Sequence, residues 1–390
     1  MANNLLTPTA VTREALRVLH QKLNFVGNIV REYDDSYAKS GAKIGDSLKI
    51  RLPNQYMVRS GATLSAQDTT ETSTTLQVAT QKGVDLNFSS VDLTLSLDDF
   101  SSRILEPAMS VLAANVEYDA LSMYKDVSNS VWNGGAAATY NKALDARVIL
   151  NRSLAPYSDR TALMDSQSMA DVVKDTKTLF NDATSLSKQY KEGYIGIAAG
   201  FDWMENTLLP AHTRGGSNGA YLTNGATQTG ATLVVDTGAT APAAGDVITI
   251  AGVFSVHPET KVSTGQLQQF AVGAGATTTS FPISPAIVAT GATQNVSNAA
   301  ADNSAVTFAG TASTAVGTSL LFQKEAFAFA TADLVMPKGV DFAAREVVDG
   351  VSMRIVRMYD INNDKFPCRL DVLYGYKTLR PQLACRYHNN

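Results

Sequence analysis

The sequence predicts an α+β protein carrying a separate all-β barrel domain, and three observations predict it. The chain has 390 residues, enough for two or three domains at roughly 150 residues each. Apolar residues recur at three- and four-residue steps in some stretches and at two-residue steps in others, the periods of buried helix and strand faces. Between Thr213 and Ser319 the composition changes abruptly, leaving only Arg214, Asp236, Asp246, Glu259, Lys261 and Asp302 as charges. The earlier composition returns after Ser319. That order is the pattern of a domain inserted into a loop of a host.

Thr12 to Tyr33 reads as a helix, with Ala15, Leu16, Leu19, Leu23, Val26 and Val30 at helical spacing. Its cations Arg13, Arg17, Lys22 and Arg31 suit either a solvated face or contact with an acidic partner. Leu48, Ile50 and Leu52 alternate with Lys49 and Arg51 as a half-buried strand, and Tyr56 with Val58 resume the alternation after Pro53. Gly61 to Thr75 is almost all small and polar. Leu76 and Val78, then Val84, Leu86, Phe88, Val91, Leu93 and Leu95, make a returning arm, so the whole forms an extended hairpin. A two-stranded ribbon is barely stable alone in water, and a neighbouring copy of the chain offers the surface it needs.

Ser96-Leu97-Asp98-Asp99 signals a helix start, with carboxylates at the positive end of the dipole, and Pro107 suits a second start. From Ala108 a stripe of Val111, Leu112, Val116, Ala120, Met123 and Val127 runs towards Trp132, a helix of about 25 residues and ~37 Å. Asn133-Gly134-Gly135 stops it. Residues 139–212 follow with helices at Tyr140–Leu154 and Ser166–Phe180, the latter with Met169, Val172, Val173 and Leu179 as its apolar set. Thr161–Met164 reads as a short buried strand and Ile195–Phe201 as a strand-and-turn.

Within the charge-poor segment, Leu233–Val235, Val247–Ile250, Phe270–Val272 and Phe281–Ile283 read as strands separated by turns. Low complexity alone would also fit disorder, against which the alternating β-branched residues argue. Val347-Val348-Asp349-Gly350-Val351 is a hairpin signal. Met353, Ile355, Arg357 and Tyr359 alternate as a strand, and Cys368 to Tyr376 reads as the last one.

The 32 Lys+Arg against 36 Asp+Glu give a net charge of −4, which excludes a polybasic nucleic-acid reader. Charged residues are 17% of the chain, against a usual ~25%, so Thr, Ser, Asn and Gln, or neighbouring copies, must cover the surface. No apolar run approaches the ~20 residues of a membrane span. Met1-Ala2-Asn3-Asn4 has neither a basic nor an apolar signal region, so no signal peptide is expected. Without an export signal, Cys368 and Cys385 read as buried thiols, with a disulfide pair as the alternative.

Catalytic patterns do not assemble. His20, His212, His257 and His388 fall on different elements. His257-Pro258-Glu259 begins like a zinc-deaminase signature, but Pro367-Cys368 is followed three residues later by Asp371 rather than a second cysteine. Phosphate-loop and nucleophile-elbow motifs are missing, and helix capping accounts for Asp98-Asp99. The expectation is no enzyme, with no catalytic, metal-binding or cofactor-binding residues and no cofactor.

Three stretches carry a family resemblance. They are Ala199-Gly200-Phe201-Asp202 before Leu209-Pro210; Gly245-Asp246-Val247-Ile248-Thr249-Ile250-Ala251-Gly252-Val253; and Cys368-Arg369-Leu370 with Tyr374-Gly375-Tyr376 and Arg380-Pro381. In that order, with the layout of parts, the chain resembles the major capsid proteins of tailed bacteriophages with the Hong Kong 97 capsid fold. The closer resemblance is to the P-twenty-two-type coat proteins, which carry an inserted immunoglobulin-like domain. The insert is poorer in charge than that family leads one to expect, so the family's salt-bridging loop contacts do not carry over.

The resemblance implies an N-terminal arm at 1–40, an extended loop and the start of a peripheral domain at 41–95, and a peripheral domain with its spine helix at 96–138. It implies an axial domain beginning at 139–212, the inserted β-domain at 213–318, and a return to the axial and peripheral domains at 319–390, with much of 319–360 axial. The implied function is a coat subunit that self-assembles, as pentamers and hexamers, into an icosahedral shell around double-stranded DNA. Implied partners are further copies of itself, a separate scaffolding protein, a portal protein and the packaged DNA by non-specific contact, with no membrane; whether a decoration protein also binds is left open. Arg13, Glu14 and Arg17 are the candidate scaffolding contact. The implied location is the virion, after assembly in the host bacterial cytoplasm. An encapsulin-like compartment and a β-rich fibre or adhesin are the alternatives; the fibre leaves the helical front half unexplained.

Overall fold

The computed structural model describes residues 15, 23–32, 47–59, 61–64, 66–67, 71–89, 106–176, 195–217, 220–348, 351–362 and 365–389. Two compact units share the chain: one of residues 1–50, 73–120 and 327–377, the other of 51–72, 121–326 and 378–390. Residues 319–360 are thus divided between the units, and 327–360 group with 73–120 rather than with 139–212.

In the first unit a six-stranded sheet is built on the long strand Lys365–Thr378. Thr80–Ser89 pairs antiparallel with it over ten residues, from Lys365↔Ser89 to Tyr374↔Thr80. On its other edge lies Val351–Arg357, which forms a hairpin with Phe342–Val348 through the pair Val348↔Val351. Val30–Glu32 pairs parallel with Phe327–Ala332 at the opposite end. The helix expected from Thr12 to Tyr33 is therefore corrected at its C-terminal end. A four-residue turn of helix, Asn24–Gly27, gives way to this strand, because sheet pairing at β-branched Val30 outweighs helical spacing. Arg13, Glu14 and Arg17 lie outside the described residues, as do Ser96–Asp99.

The helix beginning at Pro107 is present as Glu106–Leu121 but is shorter than expected. Its sixteen residues span about 24 Å. A 3-10 turn, Ser122–Asp126, follows, and Ser130–Trp132 is a strand. The turn closes with Val127 N–H donating to the Tyr124 carbonyl, and Ser128 and Asn129, side chains that compete for backbone hydrogen bonds, follow it. Here the Asn129 amide donates to the Gln382 and Ala384 carbonyls, both at 3.1 Å. Val111, expected on the buried stripe, is 60% exposed. Glu117 is fully buried and accepts from the backbone N–H groups of Phe25 and Val26. Asp119 accepts from the Tyr374 hydroxyl at 2.5 Å and pairs with Lys82 at 2.7 Å. One helix is thereby tied to the short N-terminal helix and to two strands.

The extended hairpin holds at its base, where Ser47–Arg51 and Ser73–Gln77 form a two-stranded sheet. Tyr56 and Val58 are not in a strand. Instead the Gln67 side chain takes a strand's place, accepting from Met57 N–H at 2.9 Å and donating to its carbonyl at 2.6 Å. The returning arm continues as Thr80–Ser89 in the large sheet. Val91, Leu93 and Leu95 lie outside the described residues.

The second unit contains a seven-stranded sheet ordered Ser130–Trp132, Ala384–Asn389, Ala315–Gln323, Arg160–Met164, Phe201–Glu205, Ile197–Ala198, with His212–Thr213 beside the start of Ala315–Gln323. The last strand is thus Ala384–Asn389 and not the one containing Cys368. Its ACRYHN sequence hides it, since polar residues alternate with a cysteine and a tyrosine that are equally buried. Helix Tyr140–Arg152, N-capped by Thr139, packs on this strand. Ser166–Thr176 is helical, and the remainder of the expected 166–180 helix lies outside the described residues.

Residues 222–308 form a six-stranded antiparallel sheet ordered Leu222–Thr223, Gly230–Asp236, Ser280–Ile287, Ser263–Val272, Val247–Val256, Val306–Phe308. A bridge between Leu222 and Ala305 joins its two ends, so the sheet closes on itself and leaves no long free edge. Inside it are Tyr221, Leu233, Ile248, Phe270, Phe281 and Phe308 among others. The chain enters through Thr213 and leaves through Ala315, and these two residues are cross-strand partners.

Gly375 lies where strands cross. A Cβ there would sit 2.1 Å from the Gln77 carbonyl oxygen, a backbone atom without room to retreat. Gly375→Ala is expected to cost about 2–3 kcal/mol, read as a fall in the urea midpoint at unchanged slope. A midpoint equal to wild type would refute the close crossing.

Candidate functional site

Buried charge is rare in so charge-poor a chain, and where it gathers marks what the fold is built around. Strand 384–389 alternates two sets of side chains. Tyr387 and Asn389 turn to the helices: the Tyr387 hydroxyl accepts from Thr139 N–H at 2.6 Å, and the Asn389 amide donates to Ser168 Oγ at 2.6 Å. Arg386 and His388 belong to the alternate set: Arg386 reaches the closed sheet at the Gly245 carbonyl, and His388 lines a cavity with Gly245 and Val247.

Asp246, in the tight turn before Val247–Val256, is 2% exposed. Its carboxylate accepts from Ala243 N–H at 2.9 Å, Gly215 N–H at 3.1 Å and His212 Nε2 at 3.0 Å. The His212 ring thus bridges the carboxylate at Nε2 and the Tyr124 hydroxyl at Nδ1, 3.2 Å away. Arg386 is fully buried and donates from Nη1 to the Gly245 carbonyl at 2.6 Å. Its Nε and Nη2 have no hydrogen-bond partner. Burial pulls its pKa down to about 10, so it stays charged at neutral pH.

His388 is 3% exposed, with Nδ1 3.1 Å from Thr318 Oγ1 and its ring 5.7 Å from that of Trp132 and 6.0 Å from that of His212. Burial first, then the neighbouring Arg386 and His212, hold its pKa well below the ordinary value. Arg214 donates to the carbonyls of Gly310 and Ser217 and lies over the Phe308 ring. A small cavity remains among Trp132, His212, Arg214, Val247, Val316 and His388. At the rim the Gln269 side chain accepts from Ser130 N–H at 2.7 Å and donates to the Ser130 carbonyl at 2.9 Å. The barrel is therefore fastened to the seven-stranded sheet by polar groups.

Of the histidines read as scattered, the structure brings His212 and His388 together; His20 lies outside the described residues. His257 caps its own turn, with Nδ1 3.3 Å from the N–H groups of Glu259 and Thr260. Among the described residues no group of three or more His, Cys, Asp or Glu is arranged to hold a metal, and no helix is long and apolar enough to cross a membrane. Cys368 and Cys385 are free and buried, and burial pushes both thiols up to about 12. Sequence reasoning missed Arg386 and Gln269. The available signal was that Arg214 and Asp246, near-solitary charges in an uncharged stretch, must either face water or meet partners.

A buried guanidinium with two idle donors is a poor stabiliser compared with apolar atoms of the same volume. Arg386→Met is expected to cost less than about 2 kcal/mol, and Arg386→Ala about 3 kcal/mol or more because it adds a cavity. Urea unfolding of both variants checks the order, and equal losses would contradict it. A thiol reagent at pH 8 should label neither cysteine before denaturant is added.

The chain has 12% identity to a protein of Mycobacterium phage Che8, with 93% of this chain and 90% of that one covered and a TM-score of 0.48. For the capsid structure of Cyanophage P-SCSP1u the values are 13%, 89%, 84% and 0.45. For the mature capsid of bacteriophage PhiM1 they are 10%, 93%, 86% and 0.45. A search of curated proteins found no match. The family model of the P22 coat protein (gene protein 5) matches residues 2–385. That match spans nearly the whole sequence, and on it the chain belongs to the P22 coat protein family, as a phage major capsid protein that forms an icosahedral shell.

Proposed function

We propose that this coat subunit assembles as pentamers and hexamers around double-stranded phage DNA, and that its work is contact rather than chemistry. The single observation that carries this reading is the family match over residues 2–385. The ribbon adds physical support. Beyond its short paired base, the 52–72 loop presents Tyr56, Met57, Val58 and Leu64, with Val58 92% and Leu64 84% exposed. Large apolar side chains so placed favour cover by another protein surface, and a second copy of the chain supplies it. Each such contact is modest, and closure of the shell multiplies them through effective concentration. A net charge of −4 suits a container that holds DNA without gripping its phosphates.

The finer assignments rest on the same reading. Residues 213–318 are an inserted domain: the closed sheet has its own apolar core, and its entry and exit at Thr213 and Ala315 are neighbours. The arm at 1–40, the loop at 41–95, the peripheral domain at 96–138 and the axial and peripheral parts at 139–212 and 319–390 complete the layout. Assembly takes place in the host bacterial cytoplasm with a separate scaffolding protein, contacted through Arg13, Glu14 and Arg17, and with a portal protein. A decoration protein is a further candidate partner.

Electron microscopy of the purified protein should show closed angular shells, and fibres or persistent monomers would defeat the reading. Nuclease-protected DNA in particles from infected cells would separate a virion from an enzyme-housing compartment. For the insert, residues 214–314 expressed alone should give a monomer that unfolds cooperatively on heating. A disordered peptide would overturn the domain assignment.

A further inference from the structure

We propose that the contacts joining Asp246, His212, Arg386 and His388 form a proton-operated latch, which holds the barrel on the seven-stranded sheet at neutral pH and lets it lift when His388 is protonated. The catch is the set of bonds that cross the junction. Asp246 takes His212 Nε2, and Arg386 donates to the Gly245 carbonyl. The trigger is His388, which lines the same cavity as Gly245, Val247 and Ala309 of the barrel.

The charges facing His388 decide the direction. From its own strand comes Arg386, and from the strand at 212–213 comes His212. Arg214 lines the cavity from the loop leading into the barrel. The 3-10 turn brings Tyr124 and Asp126 to Arg386, with the Lys125 stem beside Gly245. Asp246 is the barrel's carboxylate at this point, and it is already engaged by three donors. A proton on His388 adds a second cation beside Arg386 without a free carboxylate to meet it. Buried charge of that kind is relieved by admitting water, and here water enters by parting barrel from sheet.

The sign follows from linkage. The closed state binds the His388 proton only well below the ordinary 6.5, while the open state binds it near that value. Opening therefore takes up a proton. The latch is fully closed above about pH 6.5, and opening grows by at most about tenfold per pH unit below it, down to the closed-state pKa.

Hydrogen exchange on the full-length chain reads this directly. The Ser130 amide, which donates across the junction to Gln269 Oε1, should lose protection as pH falls from 7.5 to 5 after correction for the intrinsic rate. Strands 230–236 and 280–287 should keep theirs. His388→Gln should flatten the profile, and His388→Phe, which keeps the ring's bulk, serves if the first variant fails to fold. Of the two tryptophans, Trp132 alone remains in a Trp203→Phe chain, and its emission should follow the same titration. A flat wild-type profile, a profile unchanged in the His388 variants, or parallel loss of protection in the barrel strands would each overturn the latch.

Discussion

Strand 384–389 is held on four sides, and the second unit is organised by that confinement. Ser130–Trp132 and Ala315–Gln323 take its two edges, and its alternating side chains meet the helices and the barrel. Shifting a strand by one residue exchanges its faces. Such a slip would send Arg386 and His388 towards Thr139 and Ser168, and would bring Tyr387 and Asn389 under the barrel. Neither network would then find its donors and acceptors. Polar matching thus sets the register where six buried residues of mixed character offer no apolar alternation to do so.

The same economy of charge recurs elsewhere. Side-chain amides repeatedly take both backbone groups of one residue, beside a strand partner or in place of one. Gln67 does this for Met57, Gln269 for Ser130, and Gln228 for Val234 at 2.7 and 2.9 Å. Asn295 accepts from Val288 N–H and donates to the Ala286 carbonyl. An amide offers a donor and an acceptor on one plane, the pattern a neighbouring strand would present. Backbone groups at strand margins and in loops are thereby satisfied without ionised groups. Charge is spent where strands must be locked across a sheet, as in Arg354–Asp371 at 2.6 Å and Arg345–Asp333 at 3.2 Å. Arg345 and Arg354 stand opposite each other, so each needs its own carboxylate.

Much of the architecture was legible because it rests on local rules. The 140–152 helix, the hairpin through Val348 and Val351, and the strands of the charge-poor segment follow from periodicity and turn residues. What escaped was decided by partners distant in sequence. Val30 fits a helical stripe until Phe327–Ala332 offers it a sheet edge. Trp132 fits the end of a long helix until 386–388 pairs with it. Arg386 and His388 look like surface residues because nothing local shows that a barrel, with its contributing turn at Asp246, more than a hundred residues away, covers them. The cysteines were readable as buried thiols, while the turn-capping role of His257 was not.

A subunit that must meet copies of itself at chosen places has to deny them the others. Open strand edges are the hazard, since any copy's edge can pair there. The closed sheet removes its own edges through Leu222 and Ala305, and Gln269 occupies the outer backbone groups of Ser130 at the margin of the seven-stranded sheet. The ribbon is treated differently: two strands with exposed apolar residues beyond them, a structure too thin to bury its own side chains. Specificity of assembly then comes as much from the edges that are sealed as from the apolar side chains left exposed among the described residues. The closed sheet thus covers a margin of the seven-stranded sheet as well as sealing its own.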